Sequence, residues 1–382
     1  MKNREAERVV RVMRRRRPDS ASSAPGLAPS STRHEVRGTP RGRWMPLGKD
    51  GRLTLYARTD GGLLRWTQRS PGGDRWDGPD FVPVPDLTDL TVVQGSDAYV
   101  HFLGRRERQG ADGPGVDYVH AVQFQTGRPV TAWRSLGNFH RDREAGRQAG
   151  VPAGAVDAQG TVYVFARNAG RGLQMRREAK GGKWGAWQDL EGAGLGAGIV
   201  PSVTSNGLVE VFVPGDQGAQ QWRQDEPDGP LHSIPTPLQF YAREGSVAAL
   251  ETAPGRLTYY WTDANTAGVV SYRAGGWPVP VGGYPGDGAL VALRTPLDGY
   301  DCTVLAQRGA GGTLLLGVCT TEGEQGGVWW SDTTQECVGD PALALDGHGR
   351  VVVAVPGKGG VVSVARQEPG PGLTLAPQWH QL

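Results

Sequence analysis

Seven recurrences of one strand–turn–strand phrase predict an all-β fold: a seven-bladed β-propeller of four-stranded blades, preceded by a disordered basic N-terminal arm. Three observations carry this. The phrase returns at a period of roughly 40–50 residues, the mark of a radial repeat. Its halves are short apolar strands joined by Gly-rich turns. Its second strand often ends in Gln, Glu or Arg, and a Trp usually follows about ten residues later.

The arm comes first. Residues 1–43 hold 12 Lys/Arg against 4 Asp/Glu, a net charge of +8. Val9, Val10, Val12 and Met13 make a narrow apolar stripe among arginines, and Pro18 stops any helix there. Residues 18–43 are rich in Ser, Ala, Pro, Gly and Arg and read as a linker. The arm is either a plain disordered tail or a docking segment for an acidic protein partner or an anionic surface. Arg11 and Arg14–Arg17 interrupt the only candidate hydrophobic region, so no standard signal peptide is expected. At face value that places the chain in the cytoplasm, or outside the cell if another route exports it. No apolar run approaches the ~20 residues of a transmembrane helix.

The propeller is expected over residues 44–382. The second strand of each unit starts at 52, 98, 161, 208, 256, 300 and 350, in steps of 46, 63, 47, 48, 44 and 50 residues. Blade 1 reads Arg52-Leu-Thr-Leu-Tyr-Ala-Arg58, a turn Thr59-Asp-Gly-Gly62, then Leu63-Leu-Arg-Trp-Thr-Gln68. Blade 2 carries the long step, its extra length split between 105–116 and 138–150. Blade 3 pairs Thr161–Ala166 with Leu173–Glu178, and blade 4 pairs Leu208–Val213 with Ala219–Gln224. In blade 4 Glu210 interrupts the apolar residues, as expected where one face meets polar surroundings. In blade 7 the run Val351–Val355 is continuous, as expected where both faces are covered. The end, Trp379-His-Gln-Leu382, echoes Trp187-Gln-Asp-Leu190, so the last blade finishes with its own outer strand. The ring then closes by packing of blade 1 on blade 7, without an exchanged strand.

Residues 44–382 carry 29 Lys/Arg and 35 Asp/Glu, a net charge of −6. A mildly acidic body argues against nucleic-acid binding by the propeller. Glycine-rich phosphate loops, nucleophile elbows and His-Glu-x-x-His zinc helices are missing. The recurring Asp-Gly turns, such as Asp50-Gly51 and Asp346-Gly347, read as turn chemistry rather than as paired acids and bases. No cofactor is expected and no enzyme is predicted. His101 and His120 face each other if Leu103 pairs with Tyr118, which offers two metal ligands but no third. The same counting sets Cys302 opposite Cys319, either as buried thiols or as a cross-strand disulfide, with Cys337 left over.

Trp66 and Trp222 share a third-strand slot that Met175 fills in blade 3. Trp76, Trp133, Trp187, Trp277, Trp329 and Trp379 recur near the outer strands. These rings either pack between blades or offer flat platforms to the apolar face of a sugar.

The segment Lys49–Gln68, with Lys183-Trp-Gly-Ala-Trp-Gln-Asp-Leu190, resembles the repeat of bacterial propeller lectins of the Photorhabdus lectin-like group. Together with the fungal fucose-binding propellers, that group implies several glycan pockets between adjacent blades. The fungal type implies an Arg early in the second strand and a Glu in the third. Arg52, Arg256 and Arg350 fit the first slot, but Arg65 and Gln221 stand in the second. The expected ligand-binding set is Arg52, Trp66, Trp76, Trp187, Gln221, Trp222, Arg256 and Tyr260. The function expected is a non-catalytic, multivalent carbohydrate-binding propeller. The alternatives are a protein-interaction scaffold tethered through the basic arm, and a glycoside hydrolase or lyase on the same fold.

Overall fold

The computed structural model describes residues 35–110, 113–179, 182–235 and 239–382. The expected arm lies, up to residue 34, outside the described residues. Among the described residues the strands form seven sheets, the blades of a propeller, antiparallel except for one added strand. Second strands begin at Thr54, Val100, Val162, Val209, Arg256, Tyr300 and Val351, close to the starts read from the repeat. No described helix is long and apolar enough to cross a membrane.

Blade 1 has a three-stranded ladder, with an innermost segment held by separate backbone bonds. Thr54 donates to Pro46 O and Tyr56 to Trp44 O, both at 3.0 Å. Pro46 has no N–H to give back, so a full ladder cannot form there. Just before it, Arg41–Gly42 pairs in parallel with Thr91 and Val92 of blade 2, as a fifth strand on the channel side of that sheet. A Cβ on Gly42 would sit 2.5 Å from Val92 O, and its φ is +76°, so only glycine allows this approach.

Each pair of neighbouring blades shares one of seven apolar clusters found among the described residues. Successive residues of a central strand serve different clusters. Val209, Val211 and Val213 face blade 3, whereas Phe212 packs on Tyr259 of blade 5 at 4.3 Å between ring centroids. The polar surroundings of Glu210 are protein groups rather than solvent. Glu210 is buried on the blade 5 side, where Tyr259 Oη and Gln221 Nε2 donate to it.

The chain ends as expected. His380–Gln381 pairs with Ser363 and Val364, giving blade 7 its own outer strand. Blade 1 residues Leu53, Leu55, Leu64 and Trp66 pack against Ala344, Val352, Ala354 and Val364 of blade 7.

Candidate functional site

Because strands alternate in direction, the turns after first strands and the loops after third strands share one face of the ring. The second-strand hairpins and the links between blades share the other. The recurring terminal Gln of the third strand works on the first face as a clamp. Gln68, Gln224 and Gln367 each accept from the N–H opening the second strand, at Leu53 (2.9 Å), Val209 (2.8 Å) and Val351 (3.1 Å). Their Nε2 atoms donate to loop carbonyls of Gly73, Gly229 and Gly372. In blade 2, Gln123 takes Tyr56 Oη from blade 1 and donates to Arg128 O.

The eight residues singled out in the sequence are scattered around the ring and mostly engaged. Trp66 and Trp222 are buried in the clusters that join blades 7 and 1 and blades 3 and 4. Trp222 Nε1 donates to Leu190 O at 2.9 Å, and Trp187 Nε1 does the same to Leu136 O at 3.1 Å, each reaching back to the preceding blade. Trp187 is half-buried with Arg176 over its ring, and Trp76 is half-buried against the blade 1–7 cluster. Gln221 is buried on Glu210, and Tyr260 is buried with Oη 2.7 Å from Glu324 Oε1. Burial first, then the Glu324 charge, raises the Tyr260 hydroxyl well above its ordinary pKa.

The arginine slot serves as a second set of clamps. Arg52 Nε binds Asp50 Oδ2 at 2.7 Å. Arg256 Nε binds Glu322 Oε1 of the next blade at 2.7 Å. Arg350 reaches from blade 7 to Gly72 O of blade 1 at 2.6 Å. The gap between blades 1 and 2, lined by Pro46, Thr54, Val100 and Gln123, is about 10 Å³. That is roughly room for one water.

Two register readings are corrected. Leu103 pairs with His120 rather than Tyr118, so His101 lies opposite Val122. The imidazoles meet diagonally, Nδ1 to Nε2 at 3.1 Å, with rings stacked. Burial lowers both rings, His101 to about 4 and His120 to about 3, with His101 and Arg134 adding to the latter. Among the described residues no three His, Cys, Asp or Glu side chains gather as metal ligands. Cys302 pairs with Thr320, and Cys319 with Thr303, one step from the expected register. That step puts the two thiols on opposite faces of the sheet, so they cannot bond. All three cysteines are free and buried, and burial pushes Cys319 up to about 12 and Cys337 to about 11.

The ring presents aromatic side chains to solvent on both faces, with Tyr241 and Tyr284 in links between blades and a larger set on the other face. Trp277 is 89%, Trp329 83% and Tyr300 67% exposed, all on the face of the clamps. Tyr99 and Phe124 form an edge-to-face pair on the same face in blade 2, with ring centroids 5.0 Å apart. Trp277 and Trp329 belong to the outer-strand series legible in the sequence. Nothing in the repeat separates them from their half-buried counterparts Trp76 and Trp187, which also follow a Gly-Gly pair in the sequence. Tyr99, Phe124 and Tyr300 sit at strand ends, where alternation stops carrying information. On the opposite face the long blade 2 hairpin and residues 138–146 enclose a cleft of about 260 Å³.

No protein-family model matches this chain, and no curated protein matches it. Among solved structures it is similar to the BP39L lectin from Burkholderia pseudomallei, at 14% identity and a TM-score of 0.67, over 90% of this chain and 99% of that one. It is also similar to a polysaccharide lyase, the PL25 ulvan lyase, at 12% identity and a TM-score of 0.52, over 84% and 91% of the two chains. At these identities the shared property is the propeller fold.

Proposed function

We propose that this protein is a non-catalytic, multivalent carbohydrate-binding propeller. One observation carries the reading: Tyr99, Phe124, Trp277, Tyr300 and Trp329 stand exposed on one face of the ring. Five exposed rings sharing one face, two of them almost fully exposed indoles, make that face the candidate contact surface. An aromatic ring beside polar strand ends suits the apolar face of a pyranose. A single such platform binds weakly, and several on one ring raise the apparent affinity through avidity. The nearly full-length fold match to a protein named as a lectin supports the same reading. The finer likeness, to the Photorhabdus lectin-like group, rests on the Lys49–Gln68 repeat and belongs to the proposal.

The test is a glycan array probed with the full chain and with a Trp277→Ala/Trp329→Ala variant. Both side chains are almost fully exposed, so their loss leaves stability within about 0.5 kcal/mol. Binding by the wild type that falls by about tenfold or more in the variant is expected. A folded wild type that binds no glycan sinks the reading. Turnover of any bound glycan overturns its non-catalytic part.

A further inference from the structure

Blade 2 departs from the repeat, and the departure builds a site. Its central strands, Val100–Gly110 and Gly113–Gln123, run 11 residues each, against 6 and 7 in blade 3. The link that follows holds a short helix, Arg143–Arg147, folded against that hairpin. Polar bonds fix the two walls. Arg143 donates to Gly113 O at 3.0 Å, Asn138 Nδ2 to Val116 O at 3.2 Å, and Arg105 to Arg147 O at 2.9 Å. Between them lies the 260 Å³ cleft, whose polar lining is Arg108, Asp117, Asn138, His140, Arg141 and Arg143.

The lining is rich in donors and its acceptors are spent. Asp117 Oδ2 takes both Arg108 (2.9 Å) and Arg106 (3.3 Å), and Oδ1 takes Ser135 Oγ. Two guanidiniums on one carboxylate leave net positive charge. Arg141 adds another, exposed and with no ion pair among the described residues. Asn138 Oδ1 accepts from the His140 N–H. His140 Nε2 accepts from Ala169 N at 3.0 Å, which makes Nδ1 the protonated, donating nitrogen. Guanidinium donors beside a carboxylate that is already engaged, the one carboxylate among the described lining residues, match an oxyanion. The volume falls just below the ~300–1,000 Å³ of drug-sized pockets, and suits one sugar unit better than a bare ion.

We propose that this cleft binds the carboxylate or sulfate group of an acidic monosaccharide unit, on the face of the ring opposite Trp277, Tyr300 and Trp329. The saccharide part rests on the carbohydrate-binding reading above. The oxyanion part stands on the cleft alone.

Calorimetry on the full chain tests it, with four probes: a galacturonate trimer, a heparin-derived tetrasaccharide, the neutral maltotriose, and sodium sulfate. Two variants address the cleft. Arg141→Gln removes an exposed charge. Gly115→Glu adds a carboxylate where a Cβ meets nothing within 4 Å. A third replaces Arg14, Arg15, Arg16 and Arg17 by Gln to expose any binding by the basic arm. The expected result is that at least one acidic oligosaccharide binds, weakened about tenfold by either cleft variant and unaffected by the arm variant. Acidic binding that ignores both cleft variants, or that only the arm variant abolishes, overturns the proposal. So does sodium sulfate binding at the cleft with no acidic saccharide bound. Neutral glycans bound on the array with no acidic ligand here defeats this inference alone, whereas silence from every saccharide defeats both.

Discussion

At the scale of single residues, burial decides which polar groups respond to pH. His101 and His120 share one proton between Nδ1 and Nε2, and His101 Nε2 has no partner in its buried site. The assignment that leaves no N–H unpaired there puts the His101 proton on Nδ1, donated to His120. Both rings are held neutral, at about 4 and about 3 against an ordinary 6.5. The unfolded chain therefore takes up protons first as pH falls below 6.5, and the folded chain follows only near the lowered values. Stability is full above 6.5 and drops through the window down to about 4. Each ring contributes a slope of about 1.4 kcal/mol per pH unit in that window. Denaturant unfolding between pH 7.5 and 5 should show this fall in the wild type and a flatter profile in a His101→Leu/His120→Leu variant. Identical slopes in the two proteins would remove the pair as the cause.

At the scale of elements, the recurring Gln is what makes the blade repeat recognisable. Gln224 is fully buried, and its side chain ties the start of the second strand to the loop after the third. Gln224→Leu keeps the bulk and leaves the Val209 N–H and the Gly229 carbonyl without these partners. Two buried backbone groups unpaired should cost about 2–4 kcal/mol, read as a lower denaturation midpoint at an unchanged m-value. A loss below about 0.5 kcal/mol would mean that water replaces the clamp. The Gln was visible in the sequence as a strand ending, and so were the seven strand starts, because Gly-rich turns punctuate them. The burial of Trp66 and Trp222 was not visible. A strand covered on both faces has no polar side, so alternation cannot say which ring faces solvent. Register was hidden for a related reason. The ladder of the long blade 2 hairpin runs to a last pair of Gly110 with Gly113, one residue on from the midpoint that a Leu103–Tyr118 pair implies, and this sets His101 against Val122. The basic cleft escaped as well, since it is assembled from two insertions that are separate in the chain.

At the scale of the whole molecule, the seam between blades 7 and 1 differs from every other interface. Elsewhere neighbouring blades are joined by chain as well as by packing. At the seam no strand is exchanged, and closure rests on one apolar cluster with a few polar ties. Arg350 and Arg366 both donate to Gly72 O, at 2.6 and 2.9 Å. The facing turns touch so closely that a Cβ on Gly347 would lie 2.5 Å from Gly51 O. Opening here frees two blades without stretching a link, so it is the cheapest sub-global opening available to the ring. Leu55→Ala removes a fully buried side chain from the seam, and Met175→Ala makes a matching loss between blades 3 and 4. Each should destabilise the fold by about 2–5 kcal/mol. Their hydrogen-exchange patterns should differ. Leu55→Ala should speed exchange selectively in strands Thr54–Thr59, Gly62–Gln68, Val351–Gly357 and Val361–Arg366. Met175→Ala should leave those strands protected relative to blades 3 and 4, because the links on either side keep its interface from parting first. Uniform acceleration around the ring in both variants would show that the blades unfold as one unit and that closure at the seam is as strong as the covalent connections.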